Sequence, residues 1–264
     1  MHQTTNSTSA GGQQATLAGW FNTPDGRYMA AWEQVQFDNA VDDVFGFHAV
    51  QVGLPELDFL RENRIPLRIR TGLDGAGSLV AEPTQLPLAS HSIDLLVLPH
   101  VLEFSENPHQ ILREAERVLR PEGQIVISGF NPLSLWGMKR MLGAATGRRD
   151  KADYPWCGRF IGLVRLKDWL ALLGFELNGG RFGCYAPPFS QGKWLDRFGF
   201  MEKAGDRWWP IAGGAYVVRA VKRNLGMRLV TPPWREARLK RPGLVQVARR
   251  DNVIHVRPIQ RQRR

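Results

Sequence analysis

The stretch IDLLVLPHVLEFSENPHQILREAERVLRPEGQIVIS, residues Ile93 to Ser128, decides how this chain is read. It opens on an apolar run, Ile93 to Leu98, interrupted only by Asp94. Strands buried on both faces of a parallel sheet have this character. Asn107 and Pro108 then supply an N-cap and a first-turn proline. Ile111, Leu112, Ala115, Val118 and Leu119 share one helical face, and Glu116 and Arg120 stand at i,i+4 spacing, which predicts an ion pair on the outer face. Pro121-Glu122-Gly123 turns the chain into a second apolar strand, Gln124 to Ser128. Strand, helix and strand joined by short turns form a βαβ unit, so the sheet is parallel and its crossover right-handed.

Working outward, Tyr28 to Val44 reads as an amphipathic helix, with Tyr28, Met29, Trp32 and Val35 on its apolar stripe and Ala40, Val41 and Val44 continuing it. Gly46 ends it, and Ala49 to Val52 is the first strand. Leu57 to Asn63 reads as a short helix, and Leu67 to Arg70 and Ser78 to Ala81 as the next two strands. Beyond the βαβ unit, Val164 to Leu173 carries Leu166, Trp169, Leu170 and Leu173 at helical spacing, and Gly174 caps it. Phe175 to Leu177 and Ala215 to Val221 complete the sheet. Between them lies a segment rich in aromatic residues, glycine and proline, Phe182 to Pro210, and no internal repeat is present. The expected organisation is a disordered N-terminus over 1–18, one α/β domain over 19–222 and a basic tail over 223–264.

The chain has 264 residues and is 43% hydrophobic, which suits one generous domain with tails. Its polar start has no signal-peptide core, and no apolar run is long enough to span a membrane. Cys157 and Cys184 make neither a disulfide framework nor a zinc spacing, so a reducing cytoplasm is the expected compartment. The net charge of +10 is concentrated: residues 223–264 hold twelve basic and two acidic residues, and the rest of the chain balances to zero. Such a tail suits weak contact with nucleic acid or another acidic surface, or else is simply solvated.

The segment Glu82 to Asn131 carries a spaced pattern. It runs from Glu82 through Leu86-Pro87-Leu88 and Ser92-Ile93-Asp94 to Arg117-Val118-Leu119-Arg120-Pro121-Glu122-Gly123. This resembles the class I S-adenosylmethionine-dependent methyltransferases of small-molecule type, closely over about fifty residues and weakly from 48 to 222. The resemblance implies a doubly wound, mostly parallel seven-stranded sheet whose last strand is antiparallel. It implies S-adenosyl-L-methionine lying across the carboxyl ends of the first strands, as the switch-point rule requires. Position by position it places Gly53 and Leu54 on the loop after the first strand. Glu82 and Thr84 follow the third strand, near the adenine end, and Pro99, His100 and Val101 follow the fourth, beneath the methionine part. Asp74 is the candidate for the ribose hydroxyls, although an Asp-Gly turn accounts for it equally. Asn131, Trp136 and Tyr154 are candidate substrate contacts.

The loop after the first strand departs from the family. It reads Gly53-Leu54-Pro55-Glu56-Leu57, with one glycine where three are usual, and Pro55 also removes a backbone N–H. The cofactor has no phosphate, so a pyrophosphate cradle is not required. His100 is the candidate general base, since its ordinary pKa suits neutral pH, and Glu103 stands three residues on to orient it. His100, Glu103 and His109 lack the spacing of a metal site, so no metal is expected. Three functions remain open: methyl transfer to an unidentified small-molecule acceptor, a binding module that has lost catalysis, and a nucleic-acid-associated methyltransferase using the tail.

Overall fold

The computed structural model describes residues 16–73, 76–145, 154–188, 205, 207 and 209–223. In chain order the elements are α1 (Leu17–Phe21), α2 (Pro24–Val41), β1 (His48–Val52), β2 (Leu67–Gly72), β3 (Leu79–Val80), β4 (Ile93–Pro99) and α3 (Pro108–Val118). There follow β5 (Leu119–Phe130), α4 (Leu135–Ala145), α5 (Leu163–Leu172), β6 (Phe175–Gly183), a 3-10 turn Pro210–Ala212 and β7 (Ala215–Lys222). The strands form one seven-stranded sheet in the order β3-β2-β1-β4-β5-β7-β6. The first five are mutually parallel, and β7 runs antiparallel to both β5 and β6. The α/β sheet with an antiparallel last strand is thus the one the sequence leads to.

Period-two alternation on the central strands feeds two cores. Leu96, Leu98, Ile125 and Ile127 face α3 and α5, packing on Ile111, Leu112, Leu166 and Leu170. Leu95, Val97 and Val126 point the other way, onto Phe37 and Val41 of α2 and onto Phe59, Leu60 and Ile65. Buried on both faces, β4 needs the continuous apolar run that marked it in the sequence. Its one acid, Asp94, accepts from the backbone N–H groups of Phe47 and His48 at 2.7 and 3.0 Å and from Arg120 at 2.8 Å. These bonds hold its carboxyl below the usual range, although burial acts most strongly and in the opposite sense.

Several sequence expectations are corrected. Thr16 caps α1 through its hydroxyl, so the ordered chain includes Leu17 and Ala18. Thr23 and Pro24 start α2 before the expected Tyr28. Its buried stripe is Asp25, Met29, Glu33, Phe37 and Val41, spaced by four, whereas Val35 is 53% exposed. Leu57 to Asn63 forms turns rather than a helix, because the Asn63 side chain bonds the carbonyls of Val41 and Val44 and draws the chain back toward α2. The pair expected between Glu116 and Arg120 does not form. The chain leaves the helix at Leu119, so Arg120 lies on a strand against Asp94, and Glu116 pairs with Lys222 at 2.7 Å. The run after β5, given no element in the sequence reading, holds α4. Ser134 caps it, accepting from the Gly137 N–H at 3.1 Å, and a Cβ on Gly137 would lie 2.1 Å from the Pro132 carbonyl oxygen. Residues 224–264, most of the expected basic tail, lie outside the described residues, and no described helix is long and apolar enough to cross a membrane.

The two readings of α2 predict opposite mutational costs. Phe37 is fully buried and packs on Phe59 at a ring distance of 4.3 Å. Phe37→Ala is expected to lower unfolding free energy by about 3–5 kcal/mol in urea titrations, and Val35→Ala to change it by less than about 0.5 kcal/mol.

Candidate cofactor site

The carboxyl ends of β1 and β4 and the segment after β3 enclose a cavity of about 470 Å³. Of the residues singled out in the sequence, Gly53, Leu54, Glu82, Thr84, Pro99, His100, Val101 and Tyr154 line it. Leu17 from α1, Leu73 and Phe104 complete its walls. Asp74 lies outside the described residues.

The loop after β1 keeps its shape with one glycine because a side chain holds it from beneath. Gln51 is fully buried at the end of β1. Its amide nitrogen reaches the carbonyls of Gly53, Leu54 and Leu57 at 3.2, 2.9 and 2.8 Å, and its oxygen accepts from the Phe59 N–H at 3.0 Å. The Gly53 N–H is used by the Thr71 carbonyl at 3.1 Å, and Arg70 donates to the Pro55 carbonyl at 2.9 Å. Gly53 itself sits at φ +85°, and a Cβ there would lie 2.9 Å from Val101 Cγ2. The glycine therefore permits close approach between the β1 and β4 loops, and Gln51 supplies the rigidity.

His100 follows β4 at φ +52°, a left-handed conformation that costs a non-glycine residue about 1–3 kcal/mol. Its surroundings impose it. Nδ1 is 2.8 Å from Glu103 Oε2, Nε2 is 2.6 Å from Glu33 Oε1, and all three side chains are essentially fully buried. The second Glu103 oxygen accepts from the Phe130 N–H, and the histidine ring packs on Phe130 at 4.3 Å. Burial is the largest influence on the imidazole and by itself lowers its pKa; Glu33 and then Glu103 outweigh it, and the group is pushed up to about 10. The geometry agrees, since a proton on each nitrogen satisfies both contacts when both carboxyls are ionised. Burial pushes Glu103 up, against His100 and the Phe130 N–H.

With both nitrogens engaged, His100 ties α2 to the loop lining the cavity, and it does not present a free basic nitrogen to an incoming group. Glu33 was missed in the sequence because a glutamate on a helix reads as an outward residue. The available signal was its place in the i+4 stripe that Met29, Phe37 and Val41 bury.

Two candidate substrate residues sit elsewhere. Asn131 is buried, donating to the carbonyls of Ile211 and Gly213 at 2.7 and 2.9 Å and accepting from the Leu133 N–H at 3.0 Å. It fastens the segment before β7 to the end of β5. Trp136 is 1% exposed and donates to the Ala186 carbonyl at 2.9 Å, inside an aromatic cluster with Trp20 and Phe130. Neither lines the cavity. Tyr154 does, beside Phe104 at a ring distance of 5.2 Å. Among the described residues no group of three His, Cys, Asp or Glu side chains is arranged to hold a metal ion.

A family model described as a methyltransferase domain matches residues 57–127. The chain is 34% identical over 167 residues to the uncharacterized protein YafS of Escherichia coli K12, covering 62% of this chain and 67% of that one. It is 31% identical over 99 residues to a malonyl-[acyl-carrier protein] O-methyltransferase of Methylococcus capsulatus, covering 38% of this chain and 34% of that enzyme. The fold is similar to that of a solved S-adenosylmethionine-dependent methyltransferase of Thermotoga maritima, described as a possible histamine N-methyltransferase. The TM-score is 0.52 at 17% identity, over 75% of this chain and 97% of that one.

The buried pairing predicts alkaline lability. His100 titrates near 6.5 when exposed and near 10 in the fold, so its contribution is fully present below pH 6.5 and is lost as pH rises through about 10. Urea midpoints measured from pH 6 to 10.5 are expected to fall across that interval more steeply in the native chain than in Glu33→Gln. Glu33→Ala leaves the buried His100 Nε2 without its partner and is expected to cost about 1–3 kcal/mol at pH 7.

Proposed function

This chain belongs to the class I S-adenosylmethionine-dependent methyltransferase family, and on that premise we propose that it methylates an acceptor arriving already deprotonated, a carboxylate oxygen. When bound, S-adenosylmethionine would supply an activated methyl group on a sulfonium that can keep the bonding pair as the leaving thioether.

The residues present fit that cofactor. The cavity of about 470 Å³ falls in the about 300–1,000 Å³ range of cofactor sites. Gly53 leaves room against Val101 that any side chain would fill. Exposed Glu82, with Thr84 Oγ1 donating to it at 2.8 Å, presents a carboxylate for ribose or adenine N–H and O–H groups. Pro99, His100 and Val101 form the floor, and Leu54 and Phe104 supply apolar walls.

The observation that carries the acceptor class is the state of His100. It is the one histidine on the cavity wall, and both its nitrogens are held by carboxylates. A site that offers no free imidazole suits a nucleophile needing no proton removed, and a carboxylate is ionised at neutral pH. The malonyl-[acyl-carrier protein] O-methyltransferase likeness supports the same class, over a limited part of each chain. Transfer then depends on positioning in a pocket that the strand ends and the Gln51 and His100 bonds make rigid.

Two measurements test this reading. S-adenosylhomocysteine at one hundred times its dissociation constant is expected to stabilise the protein by about 2.7 kcal/mol in thermal-shift experiments, and Glu82→Ala to weaken its binding about tenfold with the fold intact. No shift at millimolar ligand removes the cofactor reading. With methyl-labelled cofactor and a pool of small carboxylic acids, the label is expected in esters that release methanol in mild alkali. Alkali-stable label overturns the carboxylate assignment.

A further inference from the structure

Beside the cofactor cavity lies a second, larger one of about 750 Å³, sharing Glu82, Thr84, Glu106 and Asn107 with it. Three arginines from separate segments converge on its walls: Arg113 of α3, Arg159 of the turn before α5, and Arg165 of α5. All three are exposed, and none is ion-paired with a described residue. Six other described arginines, Arg61, Arg64, Arg117, Arg120, Arg219 and Arg223, each find a carboxylate, and Arg68 and Arg70 bond backbone carbonyls. The cavity's own acids, Glu82 and Glu106, are likewise unpaired with these guanidiniums. His109 and Trp169, packed at a ring distance of 4.0 Å, give the groove an apolar side.

Guanidinium forks match the planar oxygens of carboxylates and the oxygens of phosphates, and several on one concave wall raise the local concentration of anions. We propose that this groove binds a second oxyanion of the methyl acceptor, remote from the atom that is methylated. The shared walls place that anchor next to the cofactor cavity without putting a guanidinium among the residues lining the cavity itself. An arginine held against the reacting carboxylate would withdraw its charge, so an anchor outside the cavity suits a nucleophile that must stay electron-rich. The inference rests on the cofactor reading above. The oxyanion has two sources of one chemistry: the far carboxylate of a free diacid, or the phosphate of a pantetheine arm.

The test uses the full-length protein saturated with S-adenosylhomocysteine, titrated with glutarate or with 4′-phosphopantetheine and followed by calorimetry, with sodium chloride at matched ionic strength as control. Saturable binding of at least one probe is expected, weakened tenfold or more in the triple variant R113Q/R159Q/R165Q, while S-adenosylhomocysteine affinity stays within twofold. The tighter probe identifies the source, diacid or carrier arm. Binding no stronger than the chloride response, or equal binding in the triple variant, overturns the proposal. If S-adenosylhomocysteine itself fails to bind the native chain, the failure belongs to the cofactor reading. If it binds and neither anion does, the groove assignment alone falls.

Discussion

An imidazole held between two buried glutamate side chains is the constraint on which the site depends. Glu33 belongs to a helix N-terminal to the sheet, His100 to the loop leaving β4, and Glu103 to the following turn, which also takes the Phe130 N–H of β5. One set of contacts therefore locks three parts of the chain around the cavity floor. Its setting is apolar, with Phe21 and Phe130 packed on the imidazole. In such surroundings partial satisfaction is worse than none, and each member stays only because the others are present. Satisfaction is incomplete even here: among the described residues the second Glu33 oxygen, and one oxygen of Asp25 two turns earlier on the same stripe, have no hydrogen-bond partner. Burial raises the Asp25 pKa, with Lys139 opposing it.

The same device recurs along neighbouring strand ends. Gln51 at β1, His100 and Glu103 after β4, and Asn131 after β5 are all buried polar side chains, and all bind loop backbone or one another. Backbone groups that leave a sheet need partners, and here side chains rooted in the strands supply them. The loops are thereby fixed to the most rigid part of the molecule. This explains how a single glycine serves after β1: close approach to Val101 needs the missing Cβ at Gly53, whereas the path of the remaining loop is held by the Gln51 amide.

Legibility followed the kind of force at work. The β4–α3–β5 unit was readable because burial on both faces leaves a continuous apolar run and a helix leaves a stripe. The strands came out right in kind and, apart from β3, short in length. β5 and β6 extend beyond their apolar segments, to Leu119–Phe130 and Phe175–Gly183, since backbone pairing continues where the side chains are polar or absent. Helix α4 was missed because Asn131 and Pro132 are strong turn formers at its start, whereas Ser134 opens a helix. The cavity residues Gly53, Glu82 and Val101 were traceable through family spacing. The roles of Asn131 and Trp136 were not, because whether a polar group faces a cavity or a carbonyl depends on where residues 186 and 211–213 return.

The sequence by itself determined the layered α/β architecture and the parallel core. It could do so because hydrophobic periodicity and turn chemistry are local. Tertiary structure alone decided that Glu33 faces inward, that His100 is clamped at both ring nitrogens and that three arginines share one groove. Each depends on groups distant in the chain coming within a few ångströms. A buried charge is tolerated only where its partners are already in place, and no local pattern records that they are.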